Sequence, residues 1–307
     1  MTDLFLITLS QIAVLFVFII VGYLLRRFNI LPDNSATVIS KLIMWVFLTS
    51  MAFKTFAVNF TIQNLSENMG YLAAGIACAA VMFLIGNILG EKFGKIPVTK
   101  AIYKYSFVVP NTGYMGYPII TGLFGELALC HFMVFAIPLL VITYTWGVAV
   151  LTGGGKISAK SLKNPMLIGM LLGIVFGLIG IPVPELPMTI LTNAANCMAP
   201  CAMILAGIVV AKKPLAKAFS HPRAYFASLI RLIAIPAVIM IAFKLLNVNK
   251  DIMTIGTLAY AMPMGMNTIV FPEANGMDSS AGSSTVIISH AMSVLTIPMF
   301  VAILSAL

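Results

Sequence analysis

The sequence predicts an all-α integral membrane protein. The expected arrangement is ten transmembrane helices in a 5+5 inverted repeat, with two crossed, broken helices as the fourth and ninth spans. Three observations predict it. Of 307 residues, 61% are hydrophobic and 9% charged, with mean hydropathy +1.06, against about 25% charged in an ordinary soluble domain. Apolar stretches near the ~20 residues that cross a bilayer follow one another with only short loops between. Two of these stretches are interrupted by the same kinds of residue.

Taken in order, the expected spans lie near 4–25, 36–57, 69–90, 102–123, 128–151, 165–181, 187–211, 224–246, 252–273 and 283–305. The first has no basic residue before it and Arg26-Arg27 after it, so it reads as an uncleaved helix with its N-terminus outside. The remaining cations agree with that orientation. The inner side receives fourteen (Arg26, Arg27, Lys41, Lys92, Lys95, Lys100, Lys104, Lys156, Lys160, Lys163, Lys212, Lys213, Lys217, Arg223) and the outer side three (Lys54, Lys244, Lys250). That is a positive-inside bias, and it accounts for the net charge of +9 without nucleic acid. Both termini are expected outside a plasma or inner membrane. Residues 1–151 form the first five-helix repeat, 152–164 a cytoplasmic linker rich in Gly and Lys, and 165–307 the second repeat. Because five is odd, the second set enters the bilayer in the opposite sense.

The interruptions read Val109-Pro110-Asn111-Thr112-Gly113-Tyr114-Met115-Gly116-Tyr117-Pro118 and Met262-Pro263-Met264-Gly265-Met266-Asn267-Thr268-Ile269-Val270-Phe271-Pro272. Pro110, Pro118, Pro263 and Pro272 break the backbone ladder, and Gly116 and Gly265 allow close approach at the crossover. Backbone groups freed at mid-bilayer survive only where protein or a watery cavity covers them. Paired Gly/Pro-interrupted spans therefore point to the substrate site of a transporter. The half-helix N-termini carry roughly +0.5 elementary charge each and suit a carboxylate. Asn111 and Asn267 add amide donors, Thr112 and Thr268 hydroxyls, and Gly113 an unencumbered backbone. Two helix ends and a few charged hydrogen bonds, less desolvation, sum to about 5–7 kcal/mol, a Kd of roughly 10 μM to sub-millimolar.

Other chemistry is thinly represented. The nine acidic residues fall at span ends or in loops, which argues against a proton or cation antiporter built on buried carboxylates. Cys78, Cys130, Cys197 and Cys201 have no His or carboxylate company in sequence, so no metal and no cofactor is expected. His290 lies within the tenth span and is the candidate for proton coupling. His131 reads as solvated near an interface, and Arg231 as snorkelling to the inner surface. No H-E-x-x-H or G-x-S-x-G is present, so no enzyme is expected.

At these residues the chain resembles the auxin efflux carrier family of secondary transporters, including bacterial malate and malonate permeases. The likeness runs through Gly22-Tyr23-Leu24 and Ile30-Leu31-Pro32, the whole Asn111–Pro118 segment with Leu123-Phe124-Gly125-Glu126, Lys163-Asn164-Pro165, Gly169, Gly173, Ala199-Pro200, Gly207, Met262-Pro263 through Gly276, and Ser293 through Pro298. The resemblance implies crossed, broken helices, a scaffold of spans 1, 2, 6 and 7 that often forms a homodimer, and a moving transport domain of spans 3–5 and 8–10. It also implies that Asn111 binds substrate carboxylate. Phe47-Leu48 is followed by Thr49 where the family often has proline, a departure in the pocket wall. The implied function is alternating-access movement of a small organic anion across the lipid bilayer. The alternatives are a sodium-coupled symporter of the bile-acid type, a non-transporting sensor and an intramembrane enzyme.

Overall fold

A computed structural model describes residues 2–153, 165–212, 219–274 and 280–307. The regular structure of those residues is helical, and the sole extended pairing among them is a bridge between Pro110 and Met264. The helices are α1 (Thr2–Arg27), α2 (Ser35–Asn59), α3 (Leu65–Phe93), α4 (Pro97–Val108), α5 (Thr112–Leu151), α6 (Pro165–Ile179), α7 (Glu185–Ala211), α8 (Pro222–Leu245), α9 (Lys250–Ala261), α10 (Asn267–Ala274) and α11 (Ser280–Ala306).

Among the described residues, seven helical stretches are long and apolar enough to cross a membrane: Phe5–Arg27, α2, α3, α5, α7, α8 and Ala281–Ala306. The exterior suits lipid, since Val17, Leu84, Ile179 and Leu245 are all more than half exposed. Three of the ten expected spans are not among these seven. The fourth and ninth are split, α4 from α5 and α9 from α10. The sixth is the 15-residue α6, about 22 Å long at 1.5 Å per residue and short of the ~30 Å hydrocarbon core. No loop separates residues 123 and 128; instead α5 is interrupted at Gly125, whose φ of 82° and ψ of −174° are open to glycine alone. The linker expected at 152–164 lies, from Gly154 onward, outside the described residues.

Small residues set the packing where apolar lipid supplies no driving force between helices. A Cβ on Gly22 would stand 2.1 Å from the Ile204 carbonyl oxygen, and one on Gly207 would stand 2.0 Å from that of Ile19, so α1 and α7 touch backbone to backbone. Gly169, Gly173 and Gly177 do the same for α6 against α2, and Gly86, Gly90 and Gly94 for α3 against α4. Asn29 (φ 56°) and Asn247 (φ 52°) end α1 and α8 in the left-handed conformation that asparagine tolerates. Wide π turns occur at Ile43–Phe47, Thr112–Gly116, Thr143–Gly147 and Ile230–Ala234. Such turns recur at functional positions, and three of these four bear on the site described next.

Candidate functional site

The two interruptions face each other. Helix α4 stops at Val108, Val109 is extended, and α5 begins at Thr112; α9 stops at Ala261 and α10 begins at Asn267. Every backbone donor that the break exposes needs a partner. The Asn111 N–H donates to the Pro263 carbonyl at 2.8 Å, and the Thr112 N–H to the Pro110 carbonyl at 2.9 Å. The Met264 N–H donates to Ser289 Oγ at 3.1 Å. Pro110 and Pro263 themselves have no N–H to satisfy, which explains proline at these two positions.

Asn111 is buried at the junction. Its Nδ2 lies 3.1 Å from His290 Nε2. His290 Nδ1 lies 2.8 Å from the Val286 carbonyl oxygen, which can only accept. The proton therefore sits on Nδ1, and Nε2 offers a lone pair to the Asn111 amide. Consecutive residues of α11, Ser289 and His290, thus serve both interruptions, Ser289 at Met264 and His290 at Asn111.

A cavity of about 60 Å³ opens beside the junction, lined by Asn111, Thr112, Gly113, Gly265 and Asn267 together with Tyr105, Thr143, Tyr144, Leu48 and Met166. A Cβ added to Gly113 would meet nothing within 4 Å, so this residue presents bare backbone to open space. Thr112, Gly113 and Tyr114 of the first turn of α5 line this cavity, at the end of the helix where N–H groups lack intrahelical partners. Asn267 Nδ2 donates to the Tyr105 hydroxyl at 2.9 Å, tying α10 to α4. Thr268 stands apart from the other expected residues. Its hydroxyl donates to the Gly265 carbonyl at 2.9 Å and the residue is fully buried, so it caps its own turn and does not line the cavity. Pro118 lies one turn into α5 and lines a separate space of about 300 Å³. Gly116 packs beneath Phe132 and sends its N–H to the Asn111 carbonyl. Pro272 falls within α10.

Two sequence expectations are corrected. Arg231 does not snorkel. It is fully buried, with Nη1 donating to the Phe107 carbonyl at 3.2 Å and Cζ 5.3 Å from the centre of the Tyr260 ring. A π turn at Ile230–Ala234 and these two partners hold it inside. His131 is also buried rather than solvated, stacked on Tyr71 with ring centres 4.2 Å apart and 3.7 Å from Glu67. Tyr105 and Thr143 were not singled out from the sequence. A polar side chain in the middle of an apolar run was the available signal for each.

A family model described as membrane transport protein matches residues 7–156 and again 149–301. An uncharacterized transporter of Methanocaldococcus jannaschii is 25% identical over 306 residues, covering 96% of this chain and 98% of the relative. An uncharacterized transporter of Methanothermobacter thermautotrophicus is 23% identical over 304 residues, covering 94% of this chain and 95% of the relative. With interrupted helices packed face to face in an apolar helical body, and matches over nearly its whole length, the chain belongs to the membrane transport protein family, the auxin efflux carriers.

Proposed function

We propose that this protein is a secondary carrier that moves small organic anions, carboxylates above all, across a cell membrane by alternating access. The observation that carries the proposal is the junction itself: two interrupted helices seated against each other, with Asn111 between them and a cavity at the start of α5. Helix N-termini and an amide are donors, which suits an anion. Leu48 and Met166 reach the same cavity from α2 and α6, so it lies between the proposed scaffold and the proposed transport domain.

The ten-span inverted repeat is supported by two further facts. Forty residues in α5 amount to about 60 Å, twice the hydrocarbon core, so the Gly125 interruption divides two passes. Helix contacts also pair off under exchange of the halves. Contact of α1 with α7 corresponds to α6 with α2, α3 with α4 to α8 with α9, and α9 with α5 to α4 with α11. On this reading both termini lie outside, and exposed apolar faces of α2 and α6 meet lipid or a second copy of the chain.

His290 is the proposed coupling residue. While it is neutral, its Nε2 accepts from the Asn111 amide. A protonated imidazole cannot accept. Asn111 must then turn its oxygen to the ring and its two N–H groups to the cavity, where they meet a carboxylate. Proton and anion favour the same arrangement, and that linkage is reciprocal. Of the charged side chains on helices packed against α11, Lys104 is paired with Glu91 and the rest lie at helix ends, apart from Arg231 of α8. An inside-negative potential opposes anion entry by about 2.3 kcal/mol per charge per 100 mV, so uptake needs such a partner and efflux does not.

The test is flux in proteoliposomes. Purified protein is screened against carboxylates by thermal shift, and the hits are assayed by counterflow. Saturable exchange of a carboxylate supports the proposal. Binding without exchange would make the protein a sensor.

A further inference from the structure

Arg231 is the lone lysine or arginine to be buried among the described residues, and no described carboxylate lies within ion-pair distance of it. Its Nη1 holds the carbonyl oxygen of Phe107, the penultimate residue of α4. Its Cζ lies over the ring of Tyr260, the penultimate residue of α9. Nε and Nη2 have no hydrogen-bond partner. An unpaired charge at membrane depth costs several kcal/mol, so something must offset it. The offset is the end of one interrupted helix and an aromatic ring carried near the end of the other. Breaking a helix frees its last carbonyl oxygens and leaves roughly −0.5 elementary charge at its C-terminus. At α4 the guanidinium meets that partial charge through the Phe107 carbonyl, and at α9 the face of the Tyr260 ring adds a cation–π attraction.

That arrangement also decides what cannot bind there. An anion drawn by the guanidinium would face the negative end of α4 and the negative face of the Tyr260 ring, so the anion site stays at the opposite polarity, where α5 and α10 begin. In carriers built on interrupted helices, freed carbonyls and half-helix C-termini are where a coupling sodium ion is coordinated. Here a side chain reaches that place. We propose that Arg231 is a tethered cation standing in for a bound metal ion at the C-terminus of α4, beside the Tyr260 ring of α9, so that this carrier cycles without sodium. Arg231 is thus a positioning residue. The inference rests on the carrier reading above and depends on a different group from the one that binds cargo.

The experiment measures carboxylate counterflow in proteoliposomes in sodium, potassium or choline medium for wild type, R231K and R231M. Melting of each purified protein is followed in the same three salts. Wild-type flux and melting should be the same in all three. R231M, close in volume but uncharged, should lose flux by about tenfold or more, as removal of a buried charge from its partners commonly does. R231K should stay within a few-fold of wild type, and added guanidinium should restore part of the R231M loss, which a purely space-filling role would not permit. Flux or melting of the wild type that requires sodium would overturn the proposal, as would R231M transporting at the wild-type rate. If R231M fails to fold, the sodium comparison on the wild type and R231K decides alone. Absence of any carboxylate flux from the wild type, with no salt effect on melting, would instead defeat the carrier reading and leave the cation assignment standing.

Discussion

The Asn111 amide and the His290 imidazole, 179 residues apart in the chain, meet at 3.1 Å. The contact joins the first helix interruption to the last helix and fixes the ring tautomer through Val286.

Replacing Asn111 by alanine removes a donor from both the junction and the cavity. A hydrogen bond to a charged ligand contributes about 1.5–3 kcal/mol, so N111A should reduce carboxylate flux about 10- to 150-fold. The backbone N–H that seats on Pro263 is retained in the variant, so the protein should still insert and elute as a single species. Wild-type flux at wild-type expression would remove Asn111 from the site.

If His290 carries the proton, acidifying the outside of liposomes should accelerate inward flux and alkalinising it should slow it, because protonation is what turns Asn111 toward cargo. H290Q should lose that response while keeping exchange at symmetrical pH. A wild type indifferent to the gradient would show that His290 is structural only.

Lys54 of α2 and Glu126, beside the Gly125 interruption of α5, are 2.9 Å apart across the mouth of a space of about 300 Å³. Being partly exposed, the pair contributes only about 0.2–1 kcal/mol, so E126Q should barely change melting. Its position matters more than its strength, because it bridges the two proposed domains. Cross-linking K54C to E126C should arrest flux, and reduction should restore it. Undiminished flux through the cross-linked protein would mean that α2 and α5 do not part during transport.

The scaffold can be probed away from the site. Valine at Gly207 would drive side-chain atoms into the backbone of α1, where even a Cβ would lie 2.0 Å from the Ile19 oxygen. The expected cost is about 1–3 kcal/mol, read as a lower melting temperature, with cargo affinity unchanged in whatever protein survives. Valine at Gly113, which faces open space, should show the reverse pattern: near-normal melting and weakened binding.

The interruptions were legible because Pro110, Pro263, Gly113 and Gly265 stand in apolar runs where they are costly unless used. Asn111 could be placed at the first break for the same reason, but its partner could not. Nothing in the sequence near position 111 encodes the approach of residue 290. Thr268 was expected to offer its hydroxyl to cargo, whereas in the structure that hydroxyl donates to the Gly265 carbonyl; a threonine in the first turn of a helix commonly bonds to its own backbone, and sequence does not say which way the hydroxyl turns. Arg231 was misplaced for a related reason: a long cation in an apolar run snorkels unless tertiary partners hold it, and both of its partners lie more than twenty residues away. The gap expected between residues 123 and 128 falls on Gly125, where one non-helical residue rather than a loop breaks the helix, since backbone conformation at a single glycine leaves no periodic trace.

Ser289 and His290 are neighbours on one helix, yet each grips a different break. Successive residues on an α-helix point about 100° apart, so a twist or slide of α11 would disturb both contacts together. One rigid helix, α11, thus carries a partner for each interruption, and a displacement of it that lengthens one contact alters the other as well.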